Sequence, residues 1–160
     1  MKSNITTKFK MKQLLSLTFL LVFVLLSISC KDKNETLKPT EKDKILVNYP
    51  WRMSAVTDLS GNAIPTNKLN AQTQSIGKDM DIQFLANNVT KALDRGSSQV
   101  VNGGTWYLKD ESKTLDINII GFEGQFGVEE LTNSKMKLKS KMPVSGVEQE
   151  TIMVFEPVIK

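Results

Sequence analysis

From residue 51 onward, apolar and polar residues alternate one for one in segment after segment, the period of a strand buried on one face only. Trp51, Met53 and Ala55 alternate with Arg52 and Ser54, and Met80, Ile82, Phe84 and Ala86 with Asp81 and Gln83. Asn87-Asn88 makes a tight turn into Val89–Leu93. Trp106 and Leu108 share a face after Gly103-Gly104, and a polar turn at Asp110-Glu111-Ser112-Lys113 leads to Leu115, Ile117 and Ile119. Phe122, Phe126 and Val128 follow Gly121; Met136, Leu138 and Met142 alternate with lysines; Thr151–Phe155 is a last strand stopped by Pro157. No segment sustains a helical period. Eight strands with short connections read as an antiparallel meander. Eight are enough to close into a barrel wide enough for side chains or one small ligand, and closure removes the exposed edges that invite aggregation. The predicted fold is all-β: an eight-stranded antiparallel up-and-down barrel in one domain, residues 45–160.

One connection breaks the pattern of short loops. Asp58 to Asp79 contains Gly61, Pro65 and a short helix around Asn67 to Gln74. A connection of that length inside a compact domain is usually functional or mobile.

The order of these elements resembles that of the lipocalin-like lipoproteins of Gram-negative bacteria. The elements are a first-strand tryptophan (Trp51-Arg52-Met53), Lys78-Asp79-Met80-Asp81-Ile82-Gln83-Phe84 running into a turn, then Gly104-Thr105-Trp106-Tyr107-Leu108 and Lys113-Thr114-Leu115-Asp116-Ile117. A strand ending Glu130-Leu131-Thr132 and a lysine-rich strand complete the set, over most of residues 46–156. The position two before the first tryptophan, glycine in ligand-carrying lipocalins, is Tyr49 here. The resemblance implies Trp51 at the closed end of the barrel. The expected protein is a monomer that binds without a cofactor, and no nucleophile–base set suggests catalysis. Its ligand is a small apolar or amphipathic molecule held between Trp51, Phe84, Trp106 and Phe126, under the 58–79 connection.

The first 30 residues carry an address. Lys2, Lys8, Lys10 and Lys12 precede an apolar run, Leu14 to Ser29, with no acidic residue. The run is shorter than the roughly 20 residues of a membrane-spanning helix and reads as a secretory signal. Met11 opens a compact leader of its own. The run closes on Cys30, the one cysteine of the chain. Leu26-Ser27-Ile28-Ser29-Cys30 resembles a bacterial lipobox, which implies signal cleavage after residue 29 and a diacylglyceryl group, with palmitate-type chains, on Cys30. Two or more acyl chains anchor stably where one does not. Residues 30–44 follow as the lipidated cysteine and a polar, flexible tether. The expected location is the bacterial cell envelope, as an outer-membrane lipoprotein facing the periplasm or the surface. Its membrane partner is reached through the anchor.

Charge and residue types narrow the chemistry. The net charge of +4 comes from four leader lysines; residues 31–160 hold 17 basic against 17 acidic residues. That balance gives no reason to expect nucleic acid as a partner. The chain has no histidine, so the commonest general base and metal ligand is missing. Ser75-Ile76-Gly77-Lys78 matches a short S-x-x-K spacing without its companion motifs, a coincidence. Asp79 and Asp81 read as solvated carboxylates rather than as a cation cage, and no metal site is predicted. Glu130 points inward on the parity of Phe126 and Val128, or outward if a bulge intervenes. Lys135, Lys137, Lys139 and Lys141 form one outward row, read as strand protection. Small inward residues, Ala55, Ala86 and Gly124, leave room for a cavity. An alternative to ligand binding is an interaction module: a filled barrel whose loops or lysine row dock a partner protein or a glycan.

Overall fold

The computed structural model describes residues 40–159; the leader, Cys30 and the tether up to residue 39 lie outside the described residues. Residues 39–160 form a compact unit of their own, which includes the whole barrel.

Eight antiparallel strands close into the predicted barrel, each paired with its sequence neighbour and the last with the first. They are β1 (Trp51–Thr57), β2 (Met80–Phe84), β3 (Val89–Asp94), β4 (Val100–Lys109), β5 (Thr114–Ile119), β6 (Phe122–Leu131), β7 (Met136–Val144) and β8 (Val147–Pro157). Inward positions carry the buried apolar set, among them Trp51, Ile82, Phe84, Leu115, Ile117, Met136, Leu138 and Phe155. Burying these side chains is the main stabilising term of such a body.

Two helices accompany the barrel, one at each end. Helix α1 spans Glu41–Asn48, so residues 41–44, read as the end of a flexible tether, are helical. A capping box overrides their polar composition. The Thr40 hydroxyl accepts from the Asp43 amide at 3.1 Å, and the Asp43 carboxylate accepts from the Thr40 amide at 2.6 Å. Glu41 and Asp43 also favour the positive end of the helix. Leu46 is fully buried, and the Trp51 indole N–H donates to its carbonyl at 2.9 Å. Trp51 thereby satisfies a carbonyl that the helix end leaves without a partner.

The long connection between β1 and β2 folds back on the opposite end. It contains a 3-10 turn, Thr66–Lys68, and helix α2, Ala71–Asp79, which runs directly into β2. The helix starts later than the sequence suggested because Asn70 is its cap: the Asn70 side chain accepts from the Thr73 amide at 2.8 Å. Thr73 and Ile76 are its buried face. The 3-10 turn is tied to the β7–β8 turn, where the Ser145 amide donates to the Lys68 carbonyl at 2.7 Å.

Of three register shifts in the barrel, one of them between Ala92 and Leu93 of β3, two change the inward parity read from the sequence. The β1–β8 register shifts between Met53 and Ala55, so inward burial passes from Trp51 and Met53 to Val56 instead of Ala55. A second shift between Val128 and Glu130 turns Glu130 outward, where it meets Lys137 at 2.8 Å. Of the small residues expected to face inward, Ala86 and Gly124 are exposed and Ala55 is half-buried.

Candidate functional site: the clefts flanking α2

β1 pairs with β2 over only two positions, Trp51↔Ile82 and Arg52↔Asp81. Beyond Arg52 the two strands part, and α2 occupies the space between them. The result is an open cleft of about 600 Å³ lined by Met53–Val56 of β1, the returning segment Ala63–Thr66, Leu69, the α2 residues Thr73, Gln74, Gly77 and Lys78, and Arg95. On the other side of α2 lies a smaller cleft of about 170 Å³, with Met53, Ile76, Phe122, Phe126, Met142 and Met153 among its lining. Met53 and Thr73 line both, so α2 stands as a wedge between them.

Two features hold the wedge. Gly77 lets the helix lie against β1, since a Cβ there would come within 2.6 Å of the Met53 terminal methyl. Arg95, from the β3–β4 turn, closes the C-terminal end. Its Nη2 donates to the carbonyls of Gly77 at 2.9 Å and Met80 at 3.3 Å, as cations at helix C-termini do. Its Nε lies 3.6 Å from Asp81 and has no hydrogen-bond partner among the described residues.

Asp81 departs from its expected role as a solvated carboxylate. It is buried and receives two bonds of 2.8 Å from Arg52, from Nε and Nη2. This fork-to-carboxylate pairing is among the stronger polar contacts. The hydrogen bond to Asp81 raises the Arg52 pKa further above its ordinary value. Two arginines thus share one carboxylate.

Of the four aromatic residues expected to surround a ligand, only one lines either of these clefts. Phe84 and Trp106 meet edge to face with centroids 5.8 Å apart. The Trp106 indole donates to the Leu85 carbonyl at 2.9 Å. Trp51 packs under α1 through its bond to Leu46. Trp51, Phe84 and Trp106 are buried in the core and line neither cleft. Phe126 does line the smaller cleft, and its ring lies 5.0 Å from that of Phe122. Arg95 was not singled out in the sequence, and Lys78 was read only as part of a coincidental S-x-x-K spacing and of the segment leading into β2. A basic residue in a turn and one in a long connection carry no local signal, and only the closure of the barrel sets them beside β1.

The lysine row faces outward. Lys137 pairs with Glu130, and Lys139 with Glu150 at 3.4 Å; Lys141 is exposed. Lys137 holds the Glu130 carboxyl below its ordinary pKa, chiefly through their hydrogen bond. Among the described residues, no group of three potential metal-ligating side chains comes together.

No family model matches the chain, and a comparison with curated proteins finds no match. Among solved structures, it is similar to a chain described as a lipocalin-like protein from Bacteroides uniformis ATCC 8492, with a TM-score of 0.46 and 13% sequence identity, over 71% of this chain and 99% of that one.

Proposed function

We propose that this protein is a lipid-anchored component of the bacterial cell envelope that holds a small apolar or amphipathic molecule at the α2 end of its barrel and carries out no chemistry on it. The observation that carries the binding reading is the 600 Å³ cleft, which falls within the roughly 300–1,000 Å³ of small-molecule sites and combines an apolar wall with a few polar groups. The apolar wall is Met53, Ala55, Val56, Ile64 and Leu69; Thr73, Gln74, Lys78 and Arg95 supply the polar groups. The site proposed here lies beside α2 rather than among Trp51, Phe84 and Trp106, which are buried. The anchor rests on the leader and on Cys30, as read from the sequence.

The burial of these aromatics also suits the second reading, a module that docks a partner protein or glycan through its outer surface. Native mass spectrometry of the protein taken from its own envelope separates the two. A retained mass of a few hundred daltons, lost on denaturation, is the expected result. A bare chain in every charge state, together with no binding of fatty acids, retinoids or bile acids, would leave the docking module. For the anchor, Cys30→Ser is expected to release the protein from membranes, and unchanged fractionation of that variant would overturn it.

A further inference from the structure

The larger cleft has a charge asymmetry that its apolar wall does not require. Its lining includes two cations, Lys78 and Arg95, and no carboxylate. Lys78 is exposed on α2 with no ion pair or hydrogen bond to another described residue. Arg95 spends Nη2 on the helix carbonyls and turns its buried Nε toward Asp81, while its Nη1 makes no hydrogen bond to another described residue. Asp81 neutralises it only in part: Arg52 takes both carboxylate oxygens at 2.8 Å, and Arg95 shares the same carboxylate at 3.6 Å. One negative charge among the two arginines leaves the group positive.

A neutral ligand seated here would cover cationic donors without satisfying them, at a desolvation cost. An anionic group in the same place makes charge-assisted bonds instead. From this geometry, and resting on the binding reading above, we infer that the cleft selects amphiphiles with a single anionic head. Lys78 and Nη1 of Arg95 receive the head, and Met53, Val56, Ile64 and Leu69 receive the apolar body. The shared chemistry is an anion on a short apolar chain, whether carboxylate or sulfonate.

Methyl NMR on residues 39–160, the unit that contains the whole barrel, tests this with carbon-13 labelled methionine. Met53 lines both clefts, whereas Met136 lines neither and serves as the internal control. The probes are decanoate, decanesulfonate, decanol and decyltrimethylammonium, which share one chain length. Decanoate or decanesulfonate is expected to shift the Met53 methyl at lower concentration than decanol, with the cation weakest and Met136 still. The two anions against each other identify the preferred head. Lys78→Gln, an exposed change that leaves the packing intact, is expected to weaken the anion by about five-fold, the scale of one partly exposed ionic contact, and to leave decanol unchanged. Lys78→Arg is expected to restore the anion. Equal titration by decanol and the anions, or a Lys78→Gln variant that keeps the anion preference, would overturn the anion selectivity while leaving the cleft a binding site. A Met53 signal that no probe moves would overturn both readings.

Discussion

Arg52 and Asp81 face each other across the β1–β2 pair at the last position where those strands meet, joined by two bonds of 2.8 Å. At that point the barrel stops being a simple ladder and α2 begins to fill the gap. Asp81 also faces Arg95, the residue that closes the end of α2. One carboxylate therefore couples the strand register to the seating of the helix. Asp81→Asn would leave two guanidinium groups short of a counter-charge. The expected loss is about 2 kcal/mol, below the range for a fully buried pair because Arg52 is partly exposed. Arg52→Gln should cost less, under about 1 kcal/mol, since Asp81 keeps Arg95. Urea denaturation of the two variants checks this, and equal losses would contradict the coupling.

Adjacent glycines in β4 are expected to behave oppositely. A Cβ on Gly104 would sit 1.6 Å from the backbone oxygen of Asn118 in β5, whereas one on Gly103 finds its nearest neighbour at 3.6 Å. Backbone cannot move aside as a side chain can, so Gly104→Ala should cost more than about 3 kcal/mol or prevent folding. Gly103→Ala should stay within about 1 kcal/mol. Thermal denaturation of both variants compares them directly.

The turn after β1 predicts an acid dependence. The Asp58 carboxylate accepts from the Asn62 side chain and from the Ser60 and Asn62 amides, each at 2.9 Å. The Asn62 side chain is the largest cause of its lowered pKa. As pH falls, the unfolded chain takes up this proton first, near the ordinary value of about 3.9, and the folded chain only at lower pH. The stabilisation is thus fully present above the ordinary value and is lost as pH falls through the depressed one. Asp94 and Glu130 are lowered as well, so the comparison must be with Asp58→Asn. The stability gap between wild type and that variant should be constant above about pH 5 and shrink toward pH 2. A gap independent of pH across that window would remove the Asp58 contribution.

The lysine row should be dispensable for folding. Lys137 and Lys139 each meet one glutamate at the surface. Pairs of this kind contribute little once solvent screening and side-chain entropy are counted. Replacing both by Gln is expected to change stability by less than about 1 kcal/mol, as read by urea titration. A larger loss would mean that the outer face of β7 is structural.

The alternation of Trp51 with Arg52, or of Leu115, Ile117 and Ile119 with their polar neighbours, determined by itself that the chain makes strands and that they join in sequence order. That information is local: it repeats every two residues, and the short turns between strands leave few topologies. Closure around eight strands follows from the same pattern. What lay beyond it depends on partners far along the chain. The bulges at Ser54 and Glu129 exist because β8 and β7 hold their own registers against β1 and β6, so parity alone misplaced Ala55 and left Glu130 open. α1 was missed because a capping box and one buried leucine outweigh a polar composition. Asp81 read as solvated because Arg52 lies 29 positions away, a separation that no periodicity records. Only the folded barrel decided that Trp51, Phe84 and Trp106 are buried, and that two clefts flank α2. The hydrophobic effect rewards burial of an aromatic side chain in either kind of site, so its presence on an inward face cannot separate a packed wall from a pocket.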